Sequence, residues 1–247
     1  MFGKLTAEQA ITLWEDRRGL KNLMGKYVNC LLLNRDSDIP ELFWSKNERD
    51  VCLGLNEGWY RGFDAVRGYY LGMRDYNAAV ADALQKRFPD RLGALSPEEV
   101  FGVGSFRVNP LLCPVLEVAG DRETAKGLWY SQGSHARVTE AGPAAYWTWG
   151  YCAVDFVREN GAWRVWHLLR TDDIDVPCGQ SWGKPVRAYP PLPEFESLAR
   201  RAPPEPTERA DLRRRYAPDR EFAPPPRIPE PYASFSETFS YGEPCDV

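Results

Sequence analysis

Residues 123–138, ETAKGLWYSQGSHARV, are followed by AYWTWGYCAVDFVR at 145–158 and AWRVWHLLRTDDI at 162–174. In all three the apolar residues recur with period two, the spacing of a strand that buries one face. Glu140-Ala141-Gly142-Pro143 links the first pair, and Glu159-Asn160-Gly161 links the second with the Asn-Gly step of a tight hairpin. A further strand is expected near 106–118, ended by the turn Ala119-Gly120-Asp121. The segment therefore reads as an antiparallel meander of long strands.

Toward the N-terminus the period becomes helical. Thr6-Ala7-Glu8-Gln9 is a capping box, and Ile11, Trp14, Leu20, Leu23, Met24, Tyr27, Cys30 and Leu31 continue mostly at helical spacing to about Leu33. Ile39 to Trp44 reads as a short second helix and Val51 to Leu55 as a short strand. Asp64 is placed to cap a third helix from Ala65 to about Arg87, and Ser96-Pro97-Glu98-Glu99 starts another short one. Helices first and a meander afterwards predict an α+β fold.

Toward the C-terminus the composition shifts after Trp182: residues 185–247 hold fourteen of the 21 prolines. The chain divides into a folded domain over 1–182 and a Pro-rich arm over 183–247. Such an arm packs no core of its own, yet it keeps Tyr189, Phe195, Leu198, Phe222, Tyr232 and Tyr241 among its large apolar residues. The expectation is an extended arm that crosses to a neighbouring subunit and strengthens a homodimer or homotrimer.

Hydrophobic residues at 43% and charged residues at 27% of 247 supply a packed core and exclude wholesale disorder. Thirty-one basic against 35 acidic residues give a net charge of −4, which argues against nucleic acid as a partner. No signal-peptide pattern opens the chain and no apolar run is long enough to span a membrane, so no membrane partner and a cytoplasmic protein are expected. The six cysteines are scattered, and His135 and His167 are the only histidines, so no metal site is expected. No phosphate-cradling or dinucleotide motif occurs; Gly102-Val103-Gly104 lacks the third glycine, and no G-x-S-x-G is present. No cofactor is expected, and any chemistry falls to protonatable side chains converging in a pocket. The 9 Trp, 12 Tyr and 11 Phe fit either a generous core and interface or a cavity with aromatic walls.

Three segments resemble the SnoaL-like polyketide cyclase group of the nuclear-transport-factor-2-like superfamily. They are Leu23-Met24-Gly25-Lys26-Tyr27, then Gly58-Trp59-Tyr60-Arg61-Gly62-Phe63-Asp64-Ala65-Val66-Arg67, and Ala119-Gly120-Asp121 to Tyr130 with Asn160-Gly161-Ala162-Trp163-Arg164-Val165. They occur in family order over residues 8–175. The resemblance implies a cone-shaped α+β barrel, in which a curved antiparallel sheet wraps three N-terminal helices around a deep pocket, and oligomerisation through the sheet. Relatives include scytalone dehydratase, ketosteroid isomerase, bile-acid dehydratase and the diarylpropane lyases. Tyr27 matches a position whose phenol often enters the pocket. The bile-acid dehydratase aspartate falls on Leu32, its histidine on Asn109 and its strand aspartate near Gly133, so that acid/base set is not preserved.

Strand alternation supplies replacements. Trp129, Ser131, Gly133 and His135 share one face, and Trp166, Leu168, Arg170 and Asp172 share another, leaving His167 and Leu169 opposite. His135 is then a general base in the pocket or a solvent-exposed residue near a strand end. Arg170 holds an anionic oxygen or pairs with Asp172 or Asp173. Trp59, Tyr60, Tyr69, Asn109, Trp129, Ser131 and Asp172 are the expected substrate contacts, with Tyr27, His135 and Arg170 as the catalytic set. The implied activity is a cofactor-independent lyase, or an isomerase, acting on a bulky aromatic alcohol or diol. It would proceed by dehydration, or by C–C cleavage releasing a small aldehyde such as formaldehyde from lignin-type aromatic dimers. The alternative is a non-catalytic small-molecule-binding or assembly module of the same fold, its pocket filled by side chains.

Overall fold

The structure, a computed structural model, describes residues 5–100, 103–104, 106–139, 142–181, 203–214, 216 and 226–243. Gly102, Glu140, Ala141, Trp182, Tyr189, Phe195, Leu198 and Phe222, which enter the readings above, lie outside the described residues.

Helix α1 (Ala7–Leu32) begins at the capping box: Gln9 N–H donates to Thr6 Oγ1 (3.2 Å), and Thr6 N–H to Gln9 Oε1 (2.9 Å). Its buried face holds Leu20, Met24, Tyr27, Cys30 and Leu31, whereas Ile11 and Trp14 are exposed because the first two turns run ahead of the packed core. Helix α2 (Ile39–Phe43) leads to the hairpin β1 (Cys52–Leu55) and β2 (Gly58–Arg61). Helix α3 (Phe63–Arg87) starts two residues before the expected Ala65, with Gly62 at the cap position. Asp64 makes no side-chain cap; the φ of +86° at Gly62, open to glycine, turns the chain instead. Pro89 stops α3 and starts α4 (Pro89–Leu92), and α5 (Pro97–Val100) follows.

The strand expected near 106–118 is two, β3 (Phe106–Val108) and β4 (Leu111–Val118), divided at Asn109-Pro110. The long meander is β5 (Thr124–Thr139), β6 (Gly142–Glu159) and β7 (Ala162–Pro177), with β8 (Glu208–Arg209) contributed by the arm. The sheet order is β3-β5-β6-β7-β1-β2-β8, with β4 also on β5. Every pairing is antiparallel except β1 with β7, where Cys52 lies opposite His167 and Leu55 opposite Arg170. The sheet is curved but does not close, so the expected barrel is an open α+β cone.

The inner face packs on the helices through Leu20, Met24, Trp44, Val66, Trp129, Phe156 and Leu168. The outer face carries a second cluster of Cys52, Trp59, Leu128, Tyr151, Ala153 and Leu169, completed by Tyr241 of the arm. Beside it Lys126, with no exposed surface, donates from Nζ to Asp155 Oδ1 (2.6 Å). Asp155 Oδ2 accepts from Tyr241 N–H (2.7 Å) and lies 2.9 Å from His167 Nδ1, and Ser240 Oγ joins both. The rings of Phe235 and Phe239 each sit 4.5 Å from Lys126 Nζ. The described parts of the arm thus lie on their own domain rather than crossing to a neighbour as expected. The physical reason is this ion pair: Ser240 and the Tyr241 amide of the arm join His167 in completing its hydrogen bonds, and arm rings complete its burial.

Candidate active site

A cavity of about 520 Å³ lies between the inner face of the sheet and the helices α1 and α3. Pro203–Pro206 of the arm line one end. They are held by Tyr60, whose hydroxyl donates to Pro204 O (3.0 Å), and by the close approach of Pro203 to Gly72 of α3.

Around this end, sheet and helices bring together Tyr27, Tyr69, Tyr70, Arg170 and Asp172. The Tyr27 and Tyr70 hydroxyls are 2.9 Å apart, and the Tyr69 ring packs 5.0 Å from that of Tyr60 and 5.2 Å from that of Tyr70. Burial pushes the pKa values of Tyr27 and Tyr70 well above the ordinary phenol range. Both stay protonated, and one hydroxyl donates to the other. Arg170 is half-buried and makes no hydrogen bond or ion pair among the described residues. Burial works against its charge, but Asp172, Tyr27 and Tyr69 outweigh it and the net direction is upward, so the guanidinium remains charged. The neighbouring Cys152 thiol is pushed up to about 12 by burial, which removes it as a nucleophile.

Asp172 is fixed by Asn56: its backbone N–H donates to Asn56 Oδ1 (2.8 Å), and its Oδ2 accepts from Asn56 Nδ2 (3.1 Å). The second oxygen, Oδ1, is buried and has no hydrogen-bond partner among the described residues. A buried acceptor in that state is costly unless water or a ligand in the cavity donates to it.

The other end is lined by Arg107, Asn109, His135, Thr148 and Asp175. Arg107 is spoken for, with two bonds to Asp36 (3.2 and 2.7 Å) and one to Leu31 O (2.9 Å). Asn109 Nδ2 donates to Thr148 Oγ1 (3.3 Å) across Gly133, where a Cβ would meet Asn109 Nδ2 at 2.3 Å. His135 stacks on Tyr146, ring centroids 4.8 Å apart at 12°. Asn77 of α3 also lines the cavity, its Nδ2 buried and unpartnered among the described residues.

His135 and Arg170 therefore lie at different ends. Arg170 pairs across Cys152 with Trp129, and His135 is six residues farther along β5. At about 3.3 Å per residue that is roughly 20 Å along the strand, which sets the two at different ends of the cavity lining. The expected set of Tyr27, His135 and Arg170 is divided, with His135 at the far end. Of the expected contacts, Tyr60, Tyr69, Asn109 and Asp172 line the cavity. Trp129 instead packs edge-on against Phe156 in the core, and Ser131 is buried with its Oγ unpartnered among the described residues; neither lines the cavity. Trp59 belongs to the outer face, beneath the Arg61 guanidinium at 5.1 Å, because Tyr60 next to it already points inward.

Strand parity alone misses Asp175. The β6–β7 register shifts so that Gly150 faces Asp172 and Trp149 faces Ile174, leaving Asp173 as an extra residue. This bulge brings both Asp172 and Asp175 to the cavity lining. Asn56, Asn77 and Pro203–Pro206 were likewise unannounced; Asn56 reads only as a turn residue in the sequence.

Among the described residues no group of three or more His, Cys, Asp or Glu side chains could hold a metal ion, and no helix is long and apolar enough to cross a membrane. A helix-backed open cone with a polar-ended cavity defines the class of protein. Residues 13–168 match the model of the SnoaL-like domain, and the chain belongs to that family. Solved structures similar to it include a proposed scytalone dehydratase from Novosphingobium aromaticivorans (14% identity over 70% of this chain and 99% of that one, TM-score 0.45). Another is the hexachlorocyclohexane dehydrochlorinase LinA-type3 from Novosphingobium barchaimii (11% identity, 74% of this chain and 99% of that one, TM-score 0.45). A third is an NTF2-like protein with a cystatin-like fold from Novosphingobium aromaticivorans (16% identity, 69% and 92%, TM-score 0.43). No curated protein matches the chain.

Proposed function

We propose that the protein is a cofactor-independent lyase that removes water, or a small aldehyde, from a bulky aromatic alcohol or diol held in this cavity. The observation that supports the reading is the pairing of a guanidinium, Arg170, with a buried carboxylate oxygen of Asp172, neither of which has a hydrogen-bond partner among the described residues. Asp172 Oδ1 is the base, taking a proton from carbon in dehydration or from a hydroxyl in C–C cleavage. Arg170 stabilises the negative charge that develops on a substrate oxygen. The Tyr27–Tyr70 pair donates a hydrogen bond to the departing or reacting oxygen without giving up its proton. In dehydration the proton on Asp172 then returns to the leaving hydroxyl, so that water departs and the carboxylate is regenerated. In cleavage it returns to the carbon freed by the broken C–C bond as the aldehyde leaves. The tyrosine walls favour a flat substrate.

The same open cavity weighs against an assembly module, whose pocket would be packed with its own side chains. The test is product analysis by mass spectrometry after incubation with a panel of aryl diols and aryl β-hydroxy ketones. Loss of water or formaldehyde that disappears in Arg170→Gln and Asp172→Asn is the expected result. Turnover that survives both substitutions overturns the reading.

A further inference from the structure

We propose that the C-terminal arm is a working part of the active site, which fixes the Asp172 carboxylate through Asn56. The inference rests on the reading of Asp172 as the base. It is carried by contacts that converge on Asp172 from both sides. On one side, Leu212 N–H donates to Asn56 O (3.0 Å) and Ala210 N–H to Glu57 O (3.1 Å), so the arm extends the sheet over the Asn56-Glu57 turn. That turn holds Asp172 by two hydrogen bonds with the Asn56 side chain, one donated by Asn56 Nδ2 and one accepted by its Oδ1. On the other side, Arg214 N–H donates to Asp173 Oδ1 (3.0 Å) and Tyr216 N–H to Asp173 O (3.3 Å), which pins the bulged residue next to the carboxylate.

Removing these bonds leaves the turn between β1 and β2 as a short hairpin loop with its carbonyls facing water, and leaves the bulge without its outer partner. Neither Leu212 nor Arg214 lines the cavity. They are positioning residues, acting through Asn56 and Asp173. The same stretch of arm places Pro203–Pro206 on the cavity wall, so one segment both shapes the pocket and holds its carboxylate.

Loss of the Asn56 amide withdraws both hydrogen bonds that fix Asp172, one to its backbone and one to its carboxylate, and leaves the carboxylate free to turn. The charged neighbours of Asp172 on its own strand are Arg170 and Asp173. Neither is altered by Asn56→Ala or by Leu212→Pro, which removes the arm's N–H to the turn together with a leucine side chain packed on the outer-face cluster; Leu212→Ala is the control that removes the side chain alone.

The experiment uses the full chain and two readouts, hydrogen exchange of the Asp172 amide followed by NMR and steady-state kcat with KM. Asn56→Ala is expected to speed that exchange by about tenfold, because the amide loses its acceptor. It should lower kcat by about tenfold and leave KM within about twofold. Leu212→Pro should move both in the same direction by a smaller amount. A stably folded Asn56→Ala protein with unchanged exchange at Asp172 overturns the proposal, as does a Leu212→Pro protein that matches the wild type in both readouts. If the wild type turns over nothing while the exchange still rises, the lyase reading fails and the positioning role stands.

Discussion

Two carboxylates sit on opposite faces of the same three strands, each beside a cation, and they are treated in opposite ways. On the outer face, every polar atom around Asp155 is used: Lys126, His167, Ser240 and the Tyr241 amide surround it, and arm rings close over the ammonium. On the inner face, among the described residues, Arg170 makes no ion pair and one oxygen of Asp172 has no donor. A buried charged group kept fully partnered holds structure together; one kept short of partners beside a cavity is poised for a ligand. The composition of the two clusters is similar, and hydrogen-bond accounting separates them.

Substitutions on the outer face should therefore cost stability and those on the inner face activity. Lys126→Met leaves Asp155 buried without its cation and is expected to destabilise the fold by about 3–5 kcal/mol, read by denaturant unfolding. A loss below about 1 kcal/mol would place the arm and its cage outside the stable structure. Arg170→Gln is expected to lower kcat by about a hundredfold with an unchanged melting temperature, which steady-state kinetics and calorimetry check together. Tyr27→Phe removes one donor from a pair and should cost only about fivefold in kcat, since Tyr70 keeps its hydroxyl.

The smallest effect tests the bulge. Burial raises the pKa of Asp173, so the folded state binds that proton more tightly than the unfolded one. The stability linked to this proton is present at pH below the unfolded value and fades as pH rises through the folded one. Relative to Asp173→Asn, the wild type should lose about 1 kcal/mol or less across the range just above the ordinary carboxylate value. A stability difference that rises with pH there would reverse the assignment.

Much of the frame was legible in the chain. The period-two runs and the Asn160-Gly161 turn locate the meander, and the Thr6–Gln9 box starts the first helix. Parity also separates His167 from Arg170 correctly, since alternation is a property of the backbone itself. What parity cannot carry is any count across an irregularity. The extra residue Asp173 brings Asp175 inward, and Asn109-Pro110 divides one strand into two. Nor does alternation measure distance along a face, which is why His135 and Arg170 read as partners although they belong to separate ends of the cavity. The arm's place was the least legible, because it depends on burying Lys126, a lysine that reads in the sequence as an ordinary surface residue.

The contrast between the two carboxylates is tested most directly by replacing each with asparagine in the full chain and measuring kcat and melting temperature on both. The expected result is a crossed pattern. Asp172→Asn loses about a hundredfold or more in kcat at wild-type melting temperature, and Asp155→Asn melts lower while its folded fraction turns over like the wild type. Wild-type turnover by a folded Asp172→Asn protein would contradict the account.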